Sequence, residues 1–116
     1  MEDGVISIKN AEHYKWGQDC DGWHLSKNDE LSVIEECMPP ASTEQKHYHG
    51  KAQQLFYILR GDAAFELNGE MRKIHAGESI HVPPGVPHSI SNNGTEPLRF
   101  IVISAPKSHG DRVNIE

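Results

Sequence analysis

In His47-Tyr48-His49 two imidazoles stand two residues apart, and a third, His88, follows a proline-rich turn far downstream. On an extended strand, residues at i and i+2 project from the same face, so one ion could take both rings of the first pair. The competing reading of that pair alone is two solvated or mutually hydrogen-bonded histidines on a half-exposed strand. His88 is reached through Val82-Pro83-Pro84-Gly85-Val86-Pro87, a stiffened turn in which Gly85 can adopt a positive φ and Pro87 fixes the backbone just before the imidazole. Rigid delivery of a ligand reduces the entropy lost when a metal binds. Imidazole donors suit Zn, Ni, Fe and Cu, and Mn is admissible, so the expected cofactor is one divalent transition metal of unassigned identity.

Most of the elements that must hold these rings read as short strands. Apolar runs occur at residues 31–38, 55–59, 63–67, 70–75, 79–82, 88–91 and 98–103, and Gly, Pro and Asn punctuate the gaps between them. Asn68-Gly69 is the strongest hairpin signal, because a type I′ turn wants positive φ at both central positions. Pro39-Pro40 ends the first run, since proline cannot donate to a ladder. Residues 1–30 read as a lead-in or edge segment, with a short edge strand at residues 5–8 and, at most, a short helix near residues 11–15. Residues 31–105 form the barrel. Residues 106–116 are a polar tail expected to cover an edge. The pattern predicts an all-β jelly-roll barrel.

The 116 residues suffice for one domain, and 36% hydrophobic with 24% charged residues excludes a disordered chain. A net charge of −6 argues against nucleic acid or anionic membranes as partners. No apolar run approaches the length of a membrane span. Neither Cys20 nor Cys37 belongs to a Cys-x-x-Cys pair, and the acidic Met1-Glu2-Asp3-Gly4 start lacks a signal-peptide pattern, so a cytoplasmic location is expected. Cys37 reads as a core residue on its strand. His81 has the opposite parity from Ile80 and Val82 and belongs on the outer face. His13, His24, His75 and His109 have no motif around them and read as solvated or locally bonded. Glu35 and Glu36 cannot both face inward, which leaves few interior acids or bases.

Around the histidines the chain resembles the cupin superfamily, whose two motifs are G-x5-H-x-H-x3,4-E-x6-G and G-x5-P-x-G-x2-H-x3-N. Gly77, Pro83, Gly85, His88 and Asn92 match every defined position of the second motif, and His47, His49 and Gly61 match the first. The first motif is broken at its opening glycine, where Ala41 stands, and at its glutamate, where Gln54 stands. The resemblance implies the double-stranded β-helix form of the jelly roll. It also implies a metal held by His47, His49, Gln54 and His88. Gln53 or a water are rival fourth ligands, although only Gln54 keeps the interval to Gly61. Phe56, Ile58, Ile80, Val82 and Ile90 are expected to form the apolar pocket wall. Because the fold hosts many chemistries, function is read only as metal-dependent chemistry on a small anionic or oxygenated metabolite, of dioxygenase or isomerase type. The alternative is a non-catalytic small-molecule binding or sensing protein. A homodimer is expected from the same resemblance.

Overall fold

A computed structural model describes residues 4–115; Met1 to Asp3 at the start of the lead-in and Glu116 at the end of the tail lie outside the described residues. Twelve strands form among them, and no helix: β1 (Glu12–Trp16), β2 (Cys20–Lys27), β3 (Ser32–Met38), β4 (Ser42–Thr43), β5 (His47–His49), β6 (Gln53–Arg60), β7 (Asp62–Leu67), β8 (Glu70–His75), β9 (Ser79–Val82), β10 (His88–Asn92), β11 (Leu98–Ala105) and β12 (Arg112–Asn114). One sheet runs β1-β2-β3-β11-β6-β9. The other runs β12-β5-β10-β7-β8, with β4 also on β10. All pairings are antiparallel.

Period-two sorting decides which side chains meet. Along β11, Leu98, Phe100, Val102 and Ser104 are buried, while Arg99, Ile101 and Ile103 alternate on the outer side. Phe56, Ile58, Phe65, Ile90, Leu98 and Phe100 close the core between the sheets, with the Phe56 and Phe65 rings edge-to-face at 5.0 Å. The β7–β8 hairpin turns where expected, with φ of +51° at Asn68 and +86° at Gly69. Asn92, the last residue of the second motif, is buried and ties the ends of strands together. Its amide donates to the Met38 and Glu96 carbonyls and its oxygen accepts from Gly94 N–H.

The lead-in departs from the expectation. Residues 5–8 form no strand, and residues 12–27 supply two full strands of the larger sheet instead of an irregular segment or a short helix. Polar residues such as Glu12, His13, Lys15, Asp21 and His24 mask the strand signal, because this end of the sheet borders a polar cavity on one side and solvent on the other. The tail contributes β12, which covers the free edge of β5. Cys37 is also corrected: it shares the half-buried outer side of β3 with Val33 and Glu35, and Cys20 is the cysteine in the core. No helix among the described residues is long and apolar enough to cross a membrane.

Candidate metal centre and its cavity

β5 and β10 lie side by side with His47 opposite His88. His49, two residues along β5, projects to the same face. The three rings are buried, with centroid separations of 4.9 Å (His47–His49), 4.4 Å (His47–His88) and 6.0 Å (His49–His88). One nitrogen from each lies within 4.8 Å of the others. The Phe65 ring stacks parallel to His88, and Phe56 meets it edge-on, so the apolar core fixes that imidazole.

Hydrogen bonding sets the tautomers. His47 Nδ1 lies 2.9 Å from the Gln45 carbonyl, and His88 Nδ1 lies 2.9 Å from the Val86 carbonyl. A carbonyl only accepts, so Nδ1 carries the hydrogen in both rings and Nε2 presents a lone pair. Burial pushes His47 down to about 3 and His49 down to about 4, and it lowers His88 as well. All three are therefore neutral at pH 7, the state that binds a metal.

Gln54 and its rival are separated by strand parity. Gln54 is buried and faces inward from β6, its amide nitrogen donating to Ser104 Oγ at 3.0 Å. Gln53 is exposed and pairs with His81, itself on the outer face. Gln54 Oε1 lies 3.0 Å from His88 Nε2, so an amide oxygen faces an imidazole lone pair. Two acceptors at that separation repel unless a cation adjoins both; without one, the amide must turn over and donate its N–H. The buried His49 Nδ1 has no hydrogen-bond partner among the described residues. Three neutral nitrogens and an opposed carbonyl oxygen make a donor set that fits a divalent transition metal.

His47, His49 and Gln54 open onto a cavity of about 800 Å³, while His88 is fully buried and is not among its lining residues. Of the expected wall, Phe56 lines it. Ile58, Val82 and Ile90 are instead buried in the core, and Ile80 packs partly buried against that core. Ile34 and Val102 supply further apolar wall, because the inner faces of β3 and β11 reach the open side while Ile58 and Ile90 sit deeper between the sheets. The rest is polar: Tyr14, His24, Glu36, Glu44, Lys107, His109 and Arg112 are among its lining residues. Buried side-chain polar atoms without a partner among the described residues are His24 Nδ1, Glu44 Oε1 and His49 Nδ1, and all three residues line this cavity. Each costs about 1–3 kcal/mol if left unpaired, so the cavity is built to be filled by polar matter.

Two interior carboxylates correct the expected scarcity of acids. Glu36 faces inward while Glu35 pairs outside with Arg99 at 2.8 Å. Glu44 follows β4 and approaches His47 Nδ1 at 3.9 Å and Arg112 at 4.0 Å. Parity on β3 restricted the choice to one of Glu35 and Glu36. Nothing local in the sequence marked Glu44, Tyr14, His24 or Arg112, which reach the site from segments without a motif.

The model of the cupin domain matches residues 34–104. The chain belongs to the cupin family. An uncharacterised protein of Methanocaldococcus jannaschii is 32% identical over 94 residues, covering 80% of this cupin and 75% of that protein. An oxalate-binding protein of Thermotoga maritima is 35% identical over 66 residues, 57% of this chain and 54% of that protein, so the match spans about half of that relative. Among solved structures, a predicted oxalate decarboxylase from Thermotoga maritima superposes with a TM-score of 0.82 at 24% identity, covering 89% of this cupin and 99% of that chain. The polyketide cyclase RemF from Streptomyces resistomycificus superposes at 0.81 with 18% identity, covering 97% and 84%. Both likenesses are of fold, the double-stranded β-helix. Tyr14 and His24 fall before the matched segment and Arg112 after it.

Proposed function

We propose that this cupin holds one divalent transition metal on His47, His49 and His88 with Gln54 as the fourth protein donor, and acts as a metalloenzyme on a small anionic or oxygenated metabolite. The observation that carries this is the convergence of one nitrogen from each of three buried, neutral imidazoles within 4.8 Å, with the Gln54 amide 3.0 Å from His88 Nε2. Zn, Ni, Fe, Mn and Cu all accept such donors. When bound, the metal supplies Lewis acidity and a template for chelation, which suits dioxygenase- or isomerase-type chemistry. Four neutral protein donors leave its double charge uncompensated, so an anionic chelating ligand is favoured. The oxalate-binding relative supports that class. Arg112 adds a cation at the cavity wall, and Phe56, Ile34 and Val102 give the ligand an apolar side.

Elemental analysis of protein purified without added metal, then titration with nickel and zinc, tests the centre. Wild type and His81→Ala are expected to bind one ion per chain, and His88→Ala to bind it on the order of 100-fold or more weakly; failure of every ion to associate with wild type overturns the proposal. Oxygen uptake and product analysis across a panel of hydroxy-keto acids then separate oxygenase from isomerase. The oxalate-binding relative also favours a second function, non-catalytic binding or sensing. Tight ligand retention with no turnover of any compound would select it. The chain is proposed to pair as a homodimer through the outer face of the larger sheet, where Tyr57 and Leu59 are exposed beside the half-buried Leu55, Ile101 and Ile103. Sedimentation would test this.

A further inference from the structure

Tyr14, Gly22 and Glu36 occupy one rung of the larger sheet, Tyr14 opposite Gly22 on β1–β2 and Gly22 opposite Glu36 on β2–β3. A Cβ at Gly22 would collide with Tyr14 Cζ and lie 2.5 Å from its hydroxyl oxygen. The missing side chain is what lets the phenol lie across β2 and donate to Glu36 Oε2 at 2.8 Å, two strands away. Both Tyr14 and Glu36 line the same cavity as His47 and His49. One Glu36 oxygen is thus held by the phenol. The arrangement depends on β1 and β2, which precede the segment matched by the cupin domain.

From this rung we infer that Glu36 is the proton-transfer group of the cavity and Tyr14 its positioning residue, acting on a chelating carbonyl ligand held at the histidine end. The inference rests on the proposed metal centre for the ligand's anchorage. In the step, the Glu36 carboxylate takes a proton from the carbon next to the ligand's carbonyl. The C–H electron pair becomes the enolate π bond, charge moves to the carbonyl oxygen, and the resulting carboxylic acid returns a proton to carbon. No oxidant or reductant is required. Burial holds Glu36 up at about 7, against the lowering effect of the Tyr14 hydrogen bond and of Arg112, so both protonation states are populated at neutral pH. The titratable groups that interact with it are Tyr14 from β1, Cys20 from β2, Glu44 after β4 and Arg112 from β12; Gly22 and Phe100, its partners on β2 and β11, bring no charge. His24 packs on the Tyr14 ring at 5.0 Å.

Two measurements on the full chain decide it. In metal-free protein carrying Glu44→Gln, infrared titration should show one carboxyl changing state near neutrality. Adding Glu36→Gln should abolish it, and adding Tyr14→Phe or Gly22→Ala should move it upward, because the donated hydrogen bond stabilises the carboxylate. A band that survives Glu36→Gln, or that Tyr14→Phe leaves in place, overturns the inference whatever the metal does. In nickel-loaded protein with pyruvate as probe, deuterium should enter the methyl group. That exchange should fall about 100-fold in Glu36→Gln while nickel affinity is kept. Exchange no faster than with free nickel, or equal in Glu36→Gln, overturns proton transfer with the metal centre intact. Failure of wild type to take up nickel instead removes the metal centre and with it the anchorage the inference needs.

Discussion

The cavity has two ends built by different physics. At the histidine end, buried bases are forced neutral and their lone pairs converge. At the tyrosine–glutamate end the half-buried Glu36 is pushed toward the protonated form, up to about 7, and Glu44, which lies between that end and His47, is pushed up to about 8. The same desolvation acts on both, and in both it removes charge. One end is therefore left with unshared lone pairs and wants a cation, whereas the other holds protons it can give up or take back near neutrality. A cavity with these two capacities can hold a chelating ligand at one end and change its protonation at the other.

The strongest way to break the comparison is to delete the histidine end. His88→Ala removes the ring held between Phe65 and the Val86 carbonyl and should lower nickel or zinc affinity by on the order of 100-fold or more, as measured by calorimetry. Metal added to wild type should raise the unfolding temperature by mass action, and the variant should lose that increase. Gln54→Glu is the converse. A carboxylate facing His88 and accepting from Ser104 adds a negative charge to the donor set, and metal affinity should rise on the order of tenfold. Oxalate, used as an anionic chelating probe, should bind the loaded variant more weakly than the loaded wild type, since less of the ion's charge is left for an anion. Equal oxalate affinity in the two proteins would refute the charge argument.

The two ends should also respond oppositely to pH in metal-free protein. His47 and His49 have folded pKa values below the ordinary 6.5, so the unfolded chain binds more protons between 6.5 and about 3 to 4. Their stabilisation is complete above 6.5 and is lost as pH falls through that range. Glu36 and Glu44 have folded values above the ordinary 4.5, so the folded chain binds more protons from 4.5 up to about 7 and 8. Their stabilisation is complete below 4.5 and is lost as pH rises through 7 and 8. The urea midpoint should therefore peak between pH 4.5 and 6.5 and fall on both sides. Glu36→Gln with Glu44→Gln should flatten the alkaline limb and leave the acid limb. An alkaline limb unchanged in that double variant would sever the link between the carboxylates and stability.

The ends also differ in how far the sequence revealed them. The histidine end comes from β5, β6 and β10, whose residues carry a spaced motif; the interval to Gly61 favours Gln54 over Gln53 in the sequence, and strand parity separates His81 from Val82. Such patterns are local, and local patterns can be read without coordinates. The other end is assembled from β1, β2 and β3, with Glu44 beside His47 and Arg112 opposite His49 linking it to the histidines, so that Tyr14, Glu36, Glu44 and Arg112 meet only through sheet order. Sheet order has no local signature. A strand lining a polar cavity also loses the apolar alternation by which strands are recognised, and Tyr14 and His24 point inward from β1 and β2 on that account. The apolar wall differs from the sequence expectation for a related reason. Parity distinguishes inside from outside, but it does not distinguish the core at Ile58 and Ile90 from the cavity at Ile34 and Val102.

Smaller effects test whether the motif glycines serve the chain's path rather than its chemistry. Gly61, with φ of +88°, would bring a Cβ within 3.0 Å of the Pro97 carbonyl oxygen and 3.3 Å of Leu98 Cα. Both contacts are backbone, so Gly61→Ala should cost more than the roughly 1–2 kcal/mol of the left-handed conformation alone. Thermal unfolding should show that loss with metal affinity unchanged once the protein is folded.

Ala41 gives the smallest and most particular prediction. It stands where the family's first motif opens with glycine, yet its φ is +67°, in the region glycine adopts freely. The conformation is fixed from outside, since Ala41 N–H donates to the Asn92 carbonyl at 2.9 Å and the next residue, Ser42, pairs with Asn92 on β10. An L-side chain there costs about 1–2 kcal/mol. Replacement by glycine returns that strain but adds about 0.5–1 kcal/mol of unfolded-chain entropy. The net expectation for Ala41→Gly is a gain of about 0.5–1 kcal/mol, a rise of several degrees in unfolding temperature for a chain of this size. Because Ala41 lies outside the residues lining the cavity, nickel affinity and the infrared titration of Glu36 should both stay as in wild type. A destabilised Ala41→Gly would mean that the methyl group is held by packing worth more than the strain, and that the lost motif glycine was compensated locally.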